Sequence, residues 1–189
     1  ATRFSVTLPY AACLATAYGI HYAFSQPIVR PIAASFGKSF IIKICLALLT
    51  LGFAACAVAP GFTTLLIARG LSGVVAGGIV PVVFAMVGDR VPYSRRQVAI
   101  SRLVIAVITG QMGGALLSGA IASYAGWRAV FALTTLFAGG IAVAAFFRLS
   151  GMAEPRRTFS VATAVENYAF LLRSRHALIV CGTVLCEGL

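Results

Sequence analysis

Five stretches of this chain contain no Lys, Arg, Asp or Glu: residues 4–29, 44–68, 70–88, 103–127 and 129–147. The shortest of them, as a helix rising 1.5 Å per residue, covers about 28 Å, close to the roughly 30 Å hydrocarbon core of a bilayer. Lipid offers no hydrogen-bonding partner to a backbone, so a spanning segment must be a helix or part of a closed barrel. Barrel strands alternate polar and apolar positions, and these runs do not. The expected fold class is therefore all-α, a polytopic transmembrane helical bundle. A sixth apolar run begins near Ala177 and continues to Leu189.

A soluble domain carries about a quarter charged residues to keep its surface wet. Here charged residues are 10% and hydrophobic ones 60%, with a mean hydropathy of +0.99. The formal net charge of +11 would suggest nucleic acid in a soluble protein. The cations sit instead in short connectors, without the aromatic–basic stripe or zinc-finger spacing of a nucleic-acid module, so no nucleic-acid partner is expected. Arg30, Lys38 and Lys43 lie in or beside the first connector, and Arg90, Arg95, Arg96 and Arg102 flank the third. Arg148, Arg156, Arg157, Arg173 and Arg175 fill the fifth, whereas Ala59-Pro60-Gly61 carries no charge and the fourth connector carries only Arg128. Alternate connectors are basic, which by the positive-inside rule places the odd-numbered ones in the cytoplasm. The expected location is a plasma (inner) membrane, crossed several times.

The spans are expected at about 8–29, 40–59, 63–88, 98–124 and 127–147. Pro31 and Gly37 mark the first turn, Pro60-Gly61 the second, and Thr63 or Thr64 can cap the third span. Leu8 to Gly19 could pass for a signal peptide, but the repetition of such runs argues against it. Cys13, Cys45, Cys56, Cys181 and Cys186 lie in apolar runs without His or carboxylate companions; they read as small buried hydrophobes, with no metal site or cofactor expected. Three units follow: a transmembrane bundle over 1–148, a cytoplasmic loop over 149–176, and the start of a further span over 177–189. Within the loop, residues 161–172 place Val161, Ala164, Val165, Tyr168 and Leu172 near one helical face. An amphipathic surface helix and a disordered linker both remain open there.

The third span repeats small residues at four-residue steps, Gly73, Gly77 and Pro81, and the fourth repeats Gly110, Gly114, Ser118 and Ala122, with Gly119 alongside. Such grooves let helices approach backbone to backbone, since lipid provides no hydrophobic drive for association. Two helices grooved in this way can approach each other closely. The glycines either serve packing alone or give smooth contacts that permit rocking.

Several motifs occur in a telling order. Arg30-Pro31-Ile32-Ala33-Ala34-Ser35-Phe36-Gly37-Lys38 follows the first span, and Arg69-Gly70-Leu71-Ser72-Gly73 lies inside the third. Asp89-Arg90-Val91-Pro92 with Arg95-Arg96, then Gly114-Ala115-Leu116-Leu117-Ser118-Gly119, then Gly126-Trp127-Arg128-Ala129-Val130-Phe131 complete the series. Together they resemble the N-terminal half of a major facilitator superfamily transporter, in its drug–proton antiporter or sugar efflux-like branch. The first motif resembles the family's G-x-L-x-D-R-x-G-R loop, agreeing at Gly37 and Lys38 while Ala34 replaces its acidic residue. The second is similar to R-x-x-x-G, the fourth to G-P-x-x-G-G with Ala115 for proline, and the last to G-W-R-x-x-F. On this resemblance the chain holds the family's helices two to six, the central loop and part of helix seven, and lacks the first helix. The rest of the transporter is then an expected partner.

The resemblance implies a secondary transporter of small organic molecules, by alternating access and coupled to protons as efflux. It assigns Gly37, Lys38, Asp89 and Arg95 to a cytoplasmic gating loop, although for Asp89 a solvated salt bridge is the plainer reading. An ionisable group at bilayer depth costs about 2.5–3.5 kcal/mol on insertion scales and is a functional candidate by default. Arg69 lies about 10 Å into its span at 1.5 Å per residue and is expected to face the bundle interior. A coupling role and hydrogen bonding to carbonyls of the absent helix both fit it. Glu187 lies about ten residues into the last run, where desolvation would suit it to carrying protons. His21, Gln26 and Gln111 either line a cavity or bond between helices. No catalytic residues are expected: four acidic residues and two well-separated histidines cannot assemble a membrane enzyme's site. A truncated, non-transporting membrane fragment is the alternative.

Overall fold

The computed structural model describes residues 8–151, all in helices and short turns. The central loop, residues 177–189 and Glu187 lie outside them. The elements are α1 (Leu8–Phe36), α2 (Lys38–Ala57), α3 (Phe62–Arg90) and α4 (Tyr93–Leu149). Within α4, Gly126 takes φ 79° and ψ 170°, a left-handed conformation that glycine adopts without a Cβ clash. That break divides α4 into two arms, 93–125 and 127–149, so the fourth and fifth expected spans are both present. Three of the four helices, α2, α3 and α4, are long and apolar enough to cross a membrane. α1 is as long as α3 but more polar, with Tyr18, His21, Tyr22, Ser25 and Gln26 through its middle.

Two boundaries differ from the sequence reading. α1 does not turn at Pro31; it continues to Phe36. A membrane helix tolerates an internal proline because neighbours and local adjustment satisfy the freed carbonyl. What ends α1 is Gly37, at φ 95°. Its N–H donates to Ala33 O (3.1 Å), and its own carbonyl accepts from the Ile41 N–H (3.1 Å). One buried residue thus closes α1 and opens α2. At the other end α3 starts at Phe62 after Gly61, without a side-chain cap. Thr63 and Thr64 fall inside its first turn.

α3 is the central helix: α1 and α2 both pack along it, and α4 packs mainly on α2. Two apolar clusters mark the ends. Ala33, Ile41, Ile42, Cys45 and Val82 gather near the α1–α2 turn, with Leu149 against them. Cys56, Ala59, Leu65 and Ala68 gather at the opposite end, with Leu14, Trp127 and Phe131 against them. There Arg128 donates to Ala59 O (3.0 Å), tying the Gly126 break to the α2–α3 turn. The turns after α1 and α3 therefore share one end of the bundle, and those after α2 and the first arm share the other. The first end carries Lys38, Asp89, Arg90, Arg95, Arg96 and Arg148; the second carries Arg128. Charge is segregated as the alternating connectors required.

Candidate functional site

The α1–α3 contact is built on the glycines of α3. A Cβ added at Gly73 would stand 2.5 Å from the Tyr18 carbonyl oxygen, and one at Gly78 would stand 2.7 Å from Val29 Cγ1. At Gly77 it would collide with the Tyr22 carbonyl oxygen and the Ser25 hydroxyl. Ser25 is itself buried and donates to Tyr22 O (2.9 Å). At Gly73 and Gly77 these are backbone-to-backbone approaches that only glycine permits, and at Gly78 the Val29 side chain fills the place of a Cβ. The partner of the α3 groove is thus α1 and not the first arm of α4. On that arm Gly110, Gly114 and Gly119 have nothing within 4 Å among the described residues. A second close approach escaped the sequence reading. Gly52 of α2 faces the buried Ser72 of α3, a single glycine without a repeat to announce it.

Arg69 lies between two aromatic rings. Its guanidinium carbon is 5.5 Å from the Tyr18 ring centre on α1 and 4.8 Å from that of Phe131 on the second arm of α4. The side chain is half-buried. No carboxylate pairs with it among the described residues; the one ion pair there joins Lys38 to Asp89. The guanidinium is therefore held by ring faces, whose negative quadrupoles attract a cation. Phe131 belongs to a motif visible in the sequence, yet nothing in the spacing of Tyr18 or Phe131 from Arg69 announces the contact.

At the basic end Lys38, the first residue of α2, meets Asp89 in the last turn of α3. Gly37 sets the angle at which α2 departs. Arg95 is exposed on the first turn of α4, where its N–H donates to Pro92 O (2.9 Å). Arg96 donates to Gly88 O (2.7 Å) and lies over the Tyr93 ring. The Lys38–Asp89 pair is worth little in stability: Asp89 is 61% exposed, and exposed pairs contribute about 0.2–1 kcal/mol. Lys38→Gln and Asp89→Asn should each lower the unfolding free energy by less than about 1 kcal/mol. The double variant should lose no more than the larger single loss. Additive losses in a double-mutant cycle would show that the contact contributes nothing.

The three uncharged candidates are not brought together. His21 lies beside Gly70 of α3, its Nδ1 donating to Ala17 O (2.6 Å). Gln26 is half-buried one turn further along α1, and Gln111 is exposed on the first arm of α4.

A multi-pass helical bundle with one basic end, a glycine-lined central helix and an arginine held between ring faces of two helices defines an integral membrane protein. The profile of the Major Facilitator Superfamily matches residues 1–186, and the chain belongs to that family. It is similar to the uncharacterized MFS-type transporter YwfA of Bacillus subtilis, 29% identical over 69% of this chain and 32% of that protein. It also resembles the MFS transporter L2 of a Phoma species, 34% identical over 60% of this chain and 19% of the relative. The MFS-type efflux transporter ffsH of Aspergillus flavipes is 29% identical over 62% of this chain and 21% of its own length. The chain spans about a third or less of these relatives.

Proposed function

We propose that this chain supplies part of the N-terminal bundle of a secondary transporter that exports small organic molecules in exchange for protons, by alternating access. The observation that carries the reading is Arg69, a permanent cation inside the bundle that no described carboxylate neutralises. Charge at that depth is costly and is kept where a pathway needs it. The glycine contacts of α3 suit a bundle that moves against its partner half, because smooth backbone surfaces shift without unlocking side chains. Lys38–Asp89 is then a weak latch on the cytoplasmic end, and a weak latch suits a gate that must open on each cycle. Efflux as the direction is supported by a relative named for it, the efflux transporter ffsH of Aspergillus flavipes.

The test uses the intact transporter in liposomes holding a pH-sensitive dye. A panel of amphiphilic dyes and organic acids is offered across an imposed pH gradient. Substrate movement should be accompanied by opposite proton movement and should stop when a protonophore collapses the gradient. Transport at an undiminished rate after collapse would exclude proton coupling. Glu187 is the proposed proton carrier by its place in the sequence. Glu187→Gln should abolish pH-driven transport while leaving substrate exchange across equal pH intact; unchanged pH-driven transport would remove it from the mechanism.

A further inference from the structure

The seam between α2 and the second arm of α4 ends on two cations. Lys43 lies five residues into α2, with Nζ 5.4 Å from the centre of the Phe146 ring. Arg148, two residues beyond that ring, is exposed, and Leu149 next to it packs on the cluster of Ile41, Ile42 and Cys45. Both cations therefore stand at one end of one helix pair. Asp89 is the one carboxylate among the described residues, and Lys38 occupies it. Neither Lys43 nor Arg148 has an acidic partner there.

The surface beside these cations is apolar. Phe40, Ile44, Leu48 and Leu51 are all exposed along one stripe of α2, spaced by about one helical turn. From Phe40 to Leu51 the stripe is about 16 Å long, which is half of the roughly 30 Å hydrocarbon core and so the reach of one leaflet's acyl chain. Phe147 extends the apolar surface on the other helix. Lys43 starts below the level of Lys38, but a lysine stem lies along apolar surface while its ammonium climbs toward the polar layer. The Phe146 ring holds it at the seam rather than leaving it to sweep the surface.

We propose that this seam binds an anionic phospholipid, with Lys43 and Arg148 holding the headgroup phosphate and the α2 stripe holding an acyl chain. Charge and length both match: two cations without an acidic partner among the described residues close the seam, beside an apolar track about half a bilayer long. Arginine forks onto phosphate oxygens through paired N–H groups, while lysine contributes a point charge. A general attraction of basic loops to the cytoplasmic leaflet would need neither a cation inside a span nor a ring to seat it.

Native mass spectrometry of the intact transporter, released from micelles containing phosphatidylglycerol or phosphatidylcholine, reads the lipid that stays bound. Phosphatidylglycerol should be retained in preference. Each cation near an anionic headgroup should account for about fivefold in affinity, so Lys43→Gln with Arg148→Gln should weaken retention on the order of twentyfold. Arg148→Gln alone, at an exposed position that the fold does not need, should weaken it about fivefold. Arg95→Gln with Arg102→Gln removes the same charge from the first arm of α4 and should change retention less than about twofold, since cations act within a Debye length. Equal retention of the two lipids, or an equal loss from both double variants, would overturn the proposal. So would displacement of the lipid by millimolar inorganic phosphate, which would show an anion site without a lipid track.

Discussion

Gly77→Val should strip the bundle of its α1–α3 contact, and Gly77→Ala should already destabilise it. The added Cβ has no room beside the Tyr22 carbonyl oxygen, and a carbonyl fixed in its own helix cannot swing aside as a side-chain tip could. α1 must then move away from α3, opening the contacts at Gly73 and Gly78 as well. Overpacking of this kind costs about 1–3 kcal/mol and occasionally more. The sign makes the test sharp. Glycine to alanine in a helix that meets nothing should gain up to about 1 kcal/mol from helix propensity. Gly88 has open space around its Cβ direction, and at Gly70 the nearest His21 ring atom would be 3.4 Å away, an ordinary contact. Gly88→Ala and Gly70→Ala should therefore be neutral or stabilising in mild detergent, while Gly73→Ala and Gly77→Ala unfold at lower temperature. If Gly77→Ala melts with Gly88→Ala, the close approach is not what holds α1 to α3.

The contrast between Gly77 and Gly114 also shows what a sequence can and cannot convey about such a bundle. Both sit in four-residue repeats of small residues, and the repeat alone says only that a helix face is grooved. It does not name the helix that enters the groove; α1 does so for Gly77, and no described residue does so for Gly114. The spans themselves were legible because charge-free length is a one-dimensional property that the bilayer reads directly. The ends were less so. Pro31 and Gly37 both mark the first turn in the sequence, yet α1 runs through Pro31 and it is Gly37, with its positive φ, that ends the helix. The Lys38–Asp89 pair was within reach of reasoning, since both residues flank connectors on the same side of the membrane. The partners of Arg69 were not. Tyr18 and Phe131 approach it from helices far away in the chain, and only tertiary packing decides which rings face a buried cation.

Arg69→Gln should separate function from stability. Placing a guanidinium at this depth costs about 2.5–3.5 kcal/mol, and each ring face returns about 1–2 kcal/mol when the cation is desolvated. Two faces roughly cancel the cost of insertion. Removing the charge therefore forfeits both terms together, and the unfolding free energy should change by less than about 1 kcal/mol. Proton-driven transport should nevertheless fall at least tenfold if the cation serves coupling, since no carboxylate among the described residues neutralises it. Arg69→Lys should not rescue it. Its ammonium is compact and strongly hydrated and cannot stack flat between Tyr18 and Phe131, so this variant keeps the insertion cost while losing part of the compensation. Tyr18→Leu with Phe131→Leu probes the same balance from the other side. It leaves the guanidinium without its ring faces and should destabilise by about 2–4 kcal/mol, the sum of the two contacts. A bundle in which Arg69 acted only as structural support would behave in the opposite way, with Arg69→Gln unfolding early and the surviving folded protein transporting at its normal rate. Melting curves and proton-coupled transport measured on the same three preparations decide between them.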